Sequence, residues 1–274
     1  AAEGWLAEVL DLLAPGATSE WWRERLPVVL GPAERADWLD APVFELLGLR
    51  GRPLVGPGTG EAMAVALALE VTPGRAAVSL GARATVLVGT DEPVVDPSGA
   101  VRSRADATGR HLAVGTAPGG AGAVEVVREV LGVERGAMGA LADAASEHSR
   151  VALDPGGEGA ALTGLAPGVS RGDVARAAFD GVARAALDAL ERVVGAGARW
   201  GDDEPLRLAG PGHDLRAHAR SFAELARRPV QPAPPISLAA AGACIQAAAV
   251  WSDEPPDAVA ARWGLGRAAW VEPR

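Results

Sequence analysis

The sequence of 274 residues predicts an α/β fold, in which strands alternate with helices. Short segments rich in Val, Leu and Ala are followed by glycine and then by a segment with helical spacing. Residues 53–93 hold the clearest case: a strand, a glycine turn, a helix of small residues and a β-hairpin. No segment recurs with a period of about 20–50 residues, which argues against a solenoid.

The first fifty residues favour short helices. Residues 3–14 place apolar side chains at helical spacing, and Pro15 ends that helix. Ser19 can cap a second short helix, and residues 41–49 predict a third. The first strand is predicted at residues 53–55.

The next part of the chain predicts a helix and a hairpin that belong to one sheet. Residues 61–69 are Ala, Val and Leu at helical spacing, so this helix can pack tightly on a sheet. Residues 76–80 and 84–88 predict paired strands around a glycine turn. Further strands are predicted at 101–104 and 110–114.

The remaining elements alternate in the same way. The predicted helices are 124–131, 136–145, 173–194, 214–227 and 238–250, and the predicted strands are 151–153, 206–209 and a short one at Val230. The tail carries Trp251, Trp263 and Trp270, which we expect to anchor it on the domain. Cys244, in an alanine-rich helix, is expected to be a small core residue.

The composition excludes several classes of partner. The net charge of −9 argues against nucleic acid, because phosphate binding requires a basic face. No apolar run reaches the roughly 18 residues of a membrane helix, so no membrane partner is expected. Cys244 is the single cysteine, which excludes an internal disulfide and predicts a cytoplasmic setting. No His/Cys cluster has the spacing of metal ligands, so no metal site is predicted.

Two glycine-rich junctions between a strand and a helix are candidate binding sites: VGPGTG at 55–60 and LAGPGH at 208–213. Free backbone N–H groups at a helix start can hold an anion, and glycine lets the backbone approach it closely. The alternative is that glycine only permits a tight turn. Neither junction fits the dinucleotide or P-loop pattern, and the chain has no Lys to reach a phosphate.

Two side chains beside these junctions are candidates for chemistry. Glu61 is the carboxylate next to the first glycine turn, and it could act as a general base. The alternative is an acid that the helix dipole favours at a helix start. His213, after the second turn, could contact a ligand or lie in solvent as a helix-start residue.

Taken in order, these segments resemble the FGGY carbohydrate kinase family, in particular its xylulokinase-like members. The resemblance covers about residues 25–250 in one collinear order. It rests on the hairpin VTPGRAAVSLGARATVLVGTDEP, the segment GRHLAVGTAPGGAGAVEVVREVLG, the long helix SRGDVARAAFDGVARAALDALERV and the adenine-side loop LRLAGPGHDLRAHARSFAELARRPV.

The resemblance implies an actin-like (ribonuclease-H-like) domain with a mixed β-sheet flanked by helices. Family members have two such domains, with ATP and sugar in the cleft between them, and this chain resembles the second. We therefore expect a connection or remnant of the first domain at 1–50, the second domain at 51–250 and a tail at 251–274. The start at Ala1 rather than Met fits an upstream part outside this chain.

The resemblance also implies a site for ATP with Mg²⁺. Its nucleotide contacts fall on Gly58, Gly81, Ala82, Arg83, Gly119, Gly120, Gly210, Pro211, Gly212 and His213. We expect the glycine turns at 56–60, 81–83 and 210–213 to converge on one edge of the sheet, the edge that faces ATP in the family. The implied partners are nucleotide and sugar, with a missing N-terminal kinase domain or a second copy of this chain.

The chain departs from the family at the residues that carry its chemistry. The family's catalytic Asp falls on Gly60, and Glu61 stands on the Asn that follows it. The phosphate-loop hydroxyl is lost, because Ala82 stands in its place. Two hypotheses follow: a divergent ATP-dependent sugar kinase, or a kinase-like domain used for binding, regulation or assembly. A third is an unrelated α/β protein whose alanine-rich helices mimic the family.

Overall fold

The computed structural model describes residues 5–134, 136–146, 148–156, 159–210 and 215–273. Within these ranges six strands form one mixed sheet, in the order β10-β9-β3-β4-β6-β5. The strands are β3 (Ala76–Leu80), β4 (Ala84–Thr90), β5 (Arg102–Ala105), β6 (His111–Ala117), β9 (Leu206–Ala209) and β10 (Val230–Pro232). Helices flank the sheet, so the predicted α/β class and mixed sheet are confirmed.

The topology fixes which strand ends share an edge of the sheet. β3, β4, β6 and β5 form an antiparallel meander, whereas β9 runs parallel to β3 and β10 runs parallel to β9. The parallel strands are connected through helices, as such crossovers require. The carboxyl ends of β3, β9 and β10 therefore meet at one edge, and their amino ends meet at the opposite edge.

Two strand pairs lie outside this sheet. β1 (Asp37–Trp38) pairs with β2 (Leu54–Val55), and β7 (Ala152–Asp154) pairs with β8 (Ala161–Thr163). The strand predicted at 53–55 is thus present but does not join the main sheet. β1 and β8 were not predicted, because two or three residues carry too little period-2 pattern to be recognised.

The helices from residue 61 onward pack in two groups. In chain order the helices are α1 (Ala7–Leu13), α2 (Ser19–Arg23), α3 (Ala41–Leu46), α4 (Glu61–Ala68), α5 (Ala121–Leu131), α6 (Met138–Asp143), α7 (Arg171–Gly195), α8 (Leu215–Ala226), α9 (Leu238–Ser252) and α10 (Pro256–Trp263). One group centres on α7, which contacts β4, β6 and the helices α5, α6 and α8. In the other group α9 packs on α4 and α10. No helix in the described ranges is both long and apolar enough to cross a bilayer.

The long helix α7 is the best-predicted element, and its start has a physical cause. Ser170 accepts a hydrogen bond from the N–H of Asp173, whose carboxylate accepts one from the N–H of Ser170. This capping box satisfies backbone donors that a helix start leaves free. Ala178, Phe179 and Val182 are among the residues of α7 buried in the core.

The α4–α9 contact depends on glycine. A Cβ on Gly242 of α9 would lie closer than 3.0 Å to the backbone of Ala64 in α4, so the two helix backbones touch. Alanine is common among the other buried residues of the two helices, together with Leu67 in α4 and Ile245 in α9. Cys244 lies exposed on α9, so its predicted place in the core is wrong.

The tail docks on the domain differently from the prediction. Trp251, Trp263 and Trp270 are all exposed, so they do not anchor it. Instead α10 packs on α9 and α4, and the N–H groups of Val230 and Val271 each donate to the other's carbonyl. The tail thereby covers the outer edge of β10, which would otherwise present unpaired backbone groups.

We predict that Gly242→Ala destabilises the domain, because the added methyl group meets backbone atoms that cannot move aside. The expected loss in the free energy of unfolding is about 1–3 kcal/mol, measured by chemical denaturation. Gly195→Ala is the matched control, since nothing lies within 4 Å of its Cβ position at the end of α7. The control should change stability by less than about 1 kcal/mol, in the stabilising direction. Equal effects of the two substitutions would contradict the close contact.

Candidate functional site

The turn between β3 and β4 begins the candidate site. β3 ends at Leu80, which pairs directly with Ala84, and the turn consists of Gly81, Ala82 and Arg83. The N–H of Gly81 donates to the carbonyl of Arg83 at 3.1 Å. All three turn residues are exposed. The turn is therefore closed by its own backbone and presents one charged side chain, that of Arg83.

The glycine pair Gly119–Gly120 lies directly against this turn. The N–H of Ala84 donates to the carbonyl of Gly119 at 2.8 Å. A Cβ on Gly120 would lie closer than 3.0 Å to the carbonyl oxygen of Gly81 and to the backbone of Arg83. Because Gly120 has extended backbone angles that any residue can adopt, this contact explains why glycine stands there. Gly120 is also the N-cap of α5, without a side-chain cap.

Gly210 brings the end of β9 to the same place. β9 runs parallel to β3, with Ser79 opposite Ala209, so Gly210 follows at the same edge as Gly81. A Cβ on Gly210 would lie 3.0 Å from the Cβ of Leu80. Pro211, Gly212 and His213 fall outside the described residues.

These contacts gather backbone from three parts of the chain at the carboxyl edge of the sheet: residues 81–83, 119–120 and 210. The amino end of α5, an eleven-residue helix, starts in the middle of this group. Helix N-termini carry free N–H groups and a partial positive charge, which favour an anion. This arrangement can hold a phosphate through backbone alone, with Arg83 as the neighbouring cation.

The glycine run 56–60 is held by different contacts. The side-chain amide of Gln246 in α9 donates to the carbonyls of Gly58 and Pro32 at 3.3 and 3.1 Å. Gly56 faces Val250 one turn further along α9. Gly58 has a φ of +73°, which favours glycine. Gly210, the described residue of the turn 210–213, thus contacts Leu80 beside the turn 81–83, and the convergence of all three glycine turns stays a prediction.

Gly60 and Glu61 mark the start of α4. Gly60 is the N-cap of the helix and supplies no side-chain cap. A Cβ at Gly60 would meet no atom within 4 Å, so the position is open to a larger residue. Glu61 lies exposed in the first helical turn. Its position fits either a ligand contact or an acid that complements the helix dipole.

Two carboxylates with lowered pKa values, Asp173 and Asp96, are held by local hydrogen bonds and have structural roles. The N–H and hydroxyl of Ser170 and the N–H of Ser146 lower the pKa of Asp173 at the start of α7. The N–H of Val101, with Ser98, lowers the pKa of Asp96 in a loop. In the ranges that the structure describes, no three His, Cys, Asp or Glu side chains are grouped to hold a metal ion.

Two residues of this region were missed in the sequence. Pro155 packs on Gly119, whose Cβ position lies closer than 3.0 Å to the proline backbone. Gln246 holds the glycine run 56–60 from α9. Gln246 could have been found in the sequence, because it is a polar side chain in an otherwise alanine-rich helix. The contact of Pro155 with Gly119 joins residues that are distant in the sequence, and no local pattern predicts it.

No family model matches the chain. Among curated proteins it is similar to the xylulose kinase of Streptomyces rubiginosus, with 35% identity over 241 residues, which is 87% of this chain and 49% of that one. The xylulose kinase of Streptomyces coelicolor is 34% identical over 77% of this chain and 44% of its own length. The chain thus spans about half the length of the curated relatives it matches.

The fold agrees with these relatives. The crystal structure of xylulose kinase from Bifidobacterium adolescentis superposes with a TM-score of 0.71 and 27% identity, covering 91% of this chain and 51% of that one. The sequence likeness and the actin-like fold agree on one family. The chain therefore belongs to the FGGY family of carbohydrate kinases, on its xylulose kinase-like branch.

Proposed function

We propose that this chain is the nucleotide-binding part of a sugar kinase that transfers the γ-phosphate of ATP to a sugar hydroxyl, with a xylulose-type substrate. In this proposal residues 51–250 are the second domain of the kinase fold, 1–50 connect it to the first domain and 251–274 are a tail. The observation that carries the proposal is the backbone group at the carboxyl edge, in a chain 35% identical to a xylulose kinase.

The nucleotide phosphates would bind to backbone rather than to basic side chains. The groups available are the turn Gly81–Arg83, the pair Gly119–Gly120 at the start of α5, and Gly210. Glycine at position 120 lets the start of α5 touch the turn at Gly81, where any side chain would overlap backbone atoms. Arg83 would add a charged donor beside Ala82, which has no hydroxyl to donate a hydrogen bond. Mg²⁺ would arrive with ATP, held mainly by phosphate oxygens and water, as is usual for this ion.

The chain offers fewer groups for activating the sugar hydroxyl than for binding the nucleotide. A general base typically supplies about 10²–10⁴-fold in rate. The family's Asp falls on Gly60, and Glu61 is the nearest carboxylate in sequence. We assign Glu61 as the candidate base.

The second candidate function is a kinase-like domain without catalysis, which binds nucleotide for regulation or assembly. Gly60 favours it, because that position has room for an Asp and carries none. Phosphoryl transfer depends on positioning and charge neutralisation, so nucleotide binding can persist after the base is lost.

The exposed apolar side chains in the N-terminal part of the chain support contact with a partner domain, on the side where the sugar would bind. Of 22 large apolar side chains that lie exposed in the described ranges, 13 precede residue 56. Leu12 is 82% exposed and Leu46 is 85% exposed. Exposed apolar patches of this kind mark protein contacts. We infer that this surface packs on the first domain of the kinase fold; a second copy of this chain is the alternative occupant.

The proposal predicts that Gly120→Ala weakens MgATP binding at least about tenfold, since the methyl group would force α5 and the turn 81–83 apart. Gly122→Ala is the matched control, because its Cβ would meet Ala82 only at an ordinary 3.9 Å. Titration calorimetry gives the affinities, and circular dichroism checks that both variants fold. Absence of MgATP binding to the wild type, or equal MgATP affinities of the two variants, would rule out the proposed site.

A second prediction separates the kinase from the non-catalytic alternative. Gly60→Asp should raise phosphorylation of xylulose about 10²–10⁴-fold over Gly60→Asn, measured as ADP release with MgATP. Both side chains fit at the open N-cap position and should stabilise α4 equally. The difference in rate between the two variants therefore measures the effect of a carboxylate base at position 60. Xylulose-dependent turnover by the wild type would exclude the non-catalytic alternative. No turnover in any of the three proteins, with MgATP bound, would favour it.

A further inference from the structure

Charged side chains cluster at the amino edge of the sheet, opposite the proposed nucleotide edge. Arg75 precedes β3, Arg207 lies within β9, and Arg267 belongs to the tail. We call these three the arginine cluster. Their carboxylate partners are Glu70, at the end of α4, and Glu204, just before β9.

Arg207 is the unusual member, because it is buried in the sheet. It is only 7% exposed, between Leu206 and Leu208, whose side chains point to the opposite face. Buried arginines are rare unless they are well paired. The single hydrogen bond of the Arg207 side chain with described residues runs from Nη1 to Oε2 of Glu204, at a long 3.4 Å.

The carboxylates are already engaged by other arginines. Arg267 donates from Nε and Nη2 to both oxygens of Glu70, each at 2.7 Å. Arg75 lies with its Nε 3.2 Å from the same Glu204 oxygen that Arg207 uses. Glu70 thus has a bidentate partner in Arg267, with Nη1 of Arg75 3.8 Å away, while Glu204 serves both Arg75 and Arg207. Burial, together with the charge of Arg75, lowers the pKa of Arg207.

The arginine cluster lines a cavity of about 380 Å³. Pro205 and Leu69 give it apolar walls, Trp270 lies half-exposed at its lining, and the exposed carboxylate of Asp203 is also present. The tail forms one wall. A Cβ on Gly266 would lie closer than 3.0 Å to the carbonyl oxygen of Ala68. The tail therefore forms part of the wall of a cavity that stays open to solvent.

We propose that this cavity binds a small phosphate-bearing anion, held by Arg75, Arg207 and Arg267. Guanidinium groups recognise phosphate through several charge-assisted hydrogen bonds at once. The remaining donors of Arg207 would gain the partner that Glu204 does not provide. A phosphate ester would place its organic part against Trp270, whereas free phosphate would use the arginines alone. The site is independent of the nucleotide edge, because the two lie at opposite ends of β3 and β9.

The test is titration calorimetry of the wild-type chain with inorganic phosphate and with phenyl phosphate, at constant ionic strength set by chloride. Arg75→Gln and Arg207→Gln should each weaken binding about tenfold or more. Arg75 is partly exposed, so its variant remains informative if the buried Arg207 variant fails to fold. Arg262→Gln is the matched control, since it removes an arginine paired with Glu254 outside the cavity. It should bind as the wild type does.

A second readout is hydrogen exchange at the amide of Val271, which bonds to Val230 and reports the tail. Phosphate should slow this exchange in the wild type and leave it unchanged in Arg75→Gln. If phenyl phosphate binds more tightly than inorganic phosphate, and Trp270→Ala removes that difference, the cavity is a site for phosphate esters. Equal affinities of the wild type for the two ligands identify a site for free phosphate. No binding to the wild type overturns the proposal. So does binding that Arg83→Gln weakens and Arg75→Gln does not, because that result places phosphate at the nucleotide edge.

Discussion

The close approach of backbone to backbone at glycine is the constraint on which the rest of this domain depends. Gly120 lets the start of α5 touch the turn after β3, and Gly242 lets α9 touch α4. Gly181 plays the same part between α7 and the carbonyl of Leu153. Any side chain at these positions would overlap backbone, which has little freedom to move in a densely packed interior.

This constraint gives the two edges of the sheet different chemistry. At the carboxyl edge the glycine contacts bring backbone segments together, and the exposed Arg83 lies in the turn itself. At the amino edge the chain places side-chain charge instead, in the arginine cluster and its two glutamates. An anion at the first edge would be recognised by N–H groups of turns and a helix start, and at the second by guanidinium groups.

The long elements could be predicted from the sequence, and the contacts between them could not. The helix predicted at 173–194 is α7, and the hairpin around Gly81 lies where its glycine and strand pattern put it. The side-chain environments were less predictable: Cys244 lies on the exposed face of α9, and Arg207 lies buried in a strand. In both cases tertiary neighbours decide the burial. The contact of Gly119 with Pro155 likewise joins residues that no local pattern relates.

We propose that the carboxyl edge binds nucleotide through backbone groups. The most direct measurement is the change in backbone amide NMR shifts on titration with MgATP. The expected result is a joint shift of the amides of 81–83, 119–122 and 210, with one saturation curve, while the amide of Val271 at the opposite edge stays unchanged. Shifts confined to the amino edge, or none at saturating MgATP, would contradict it.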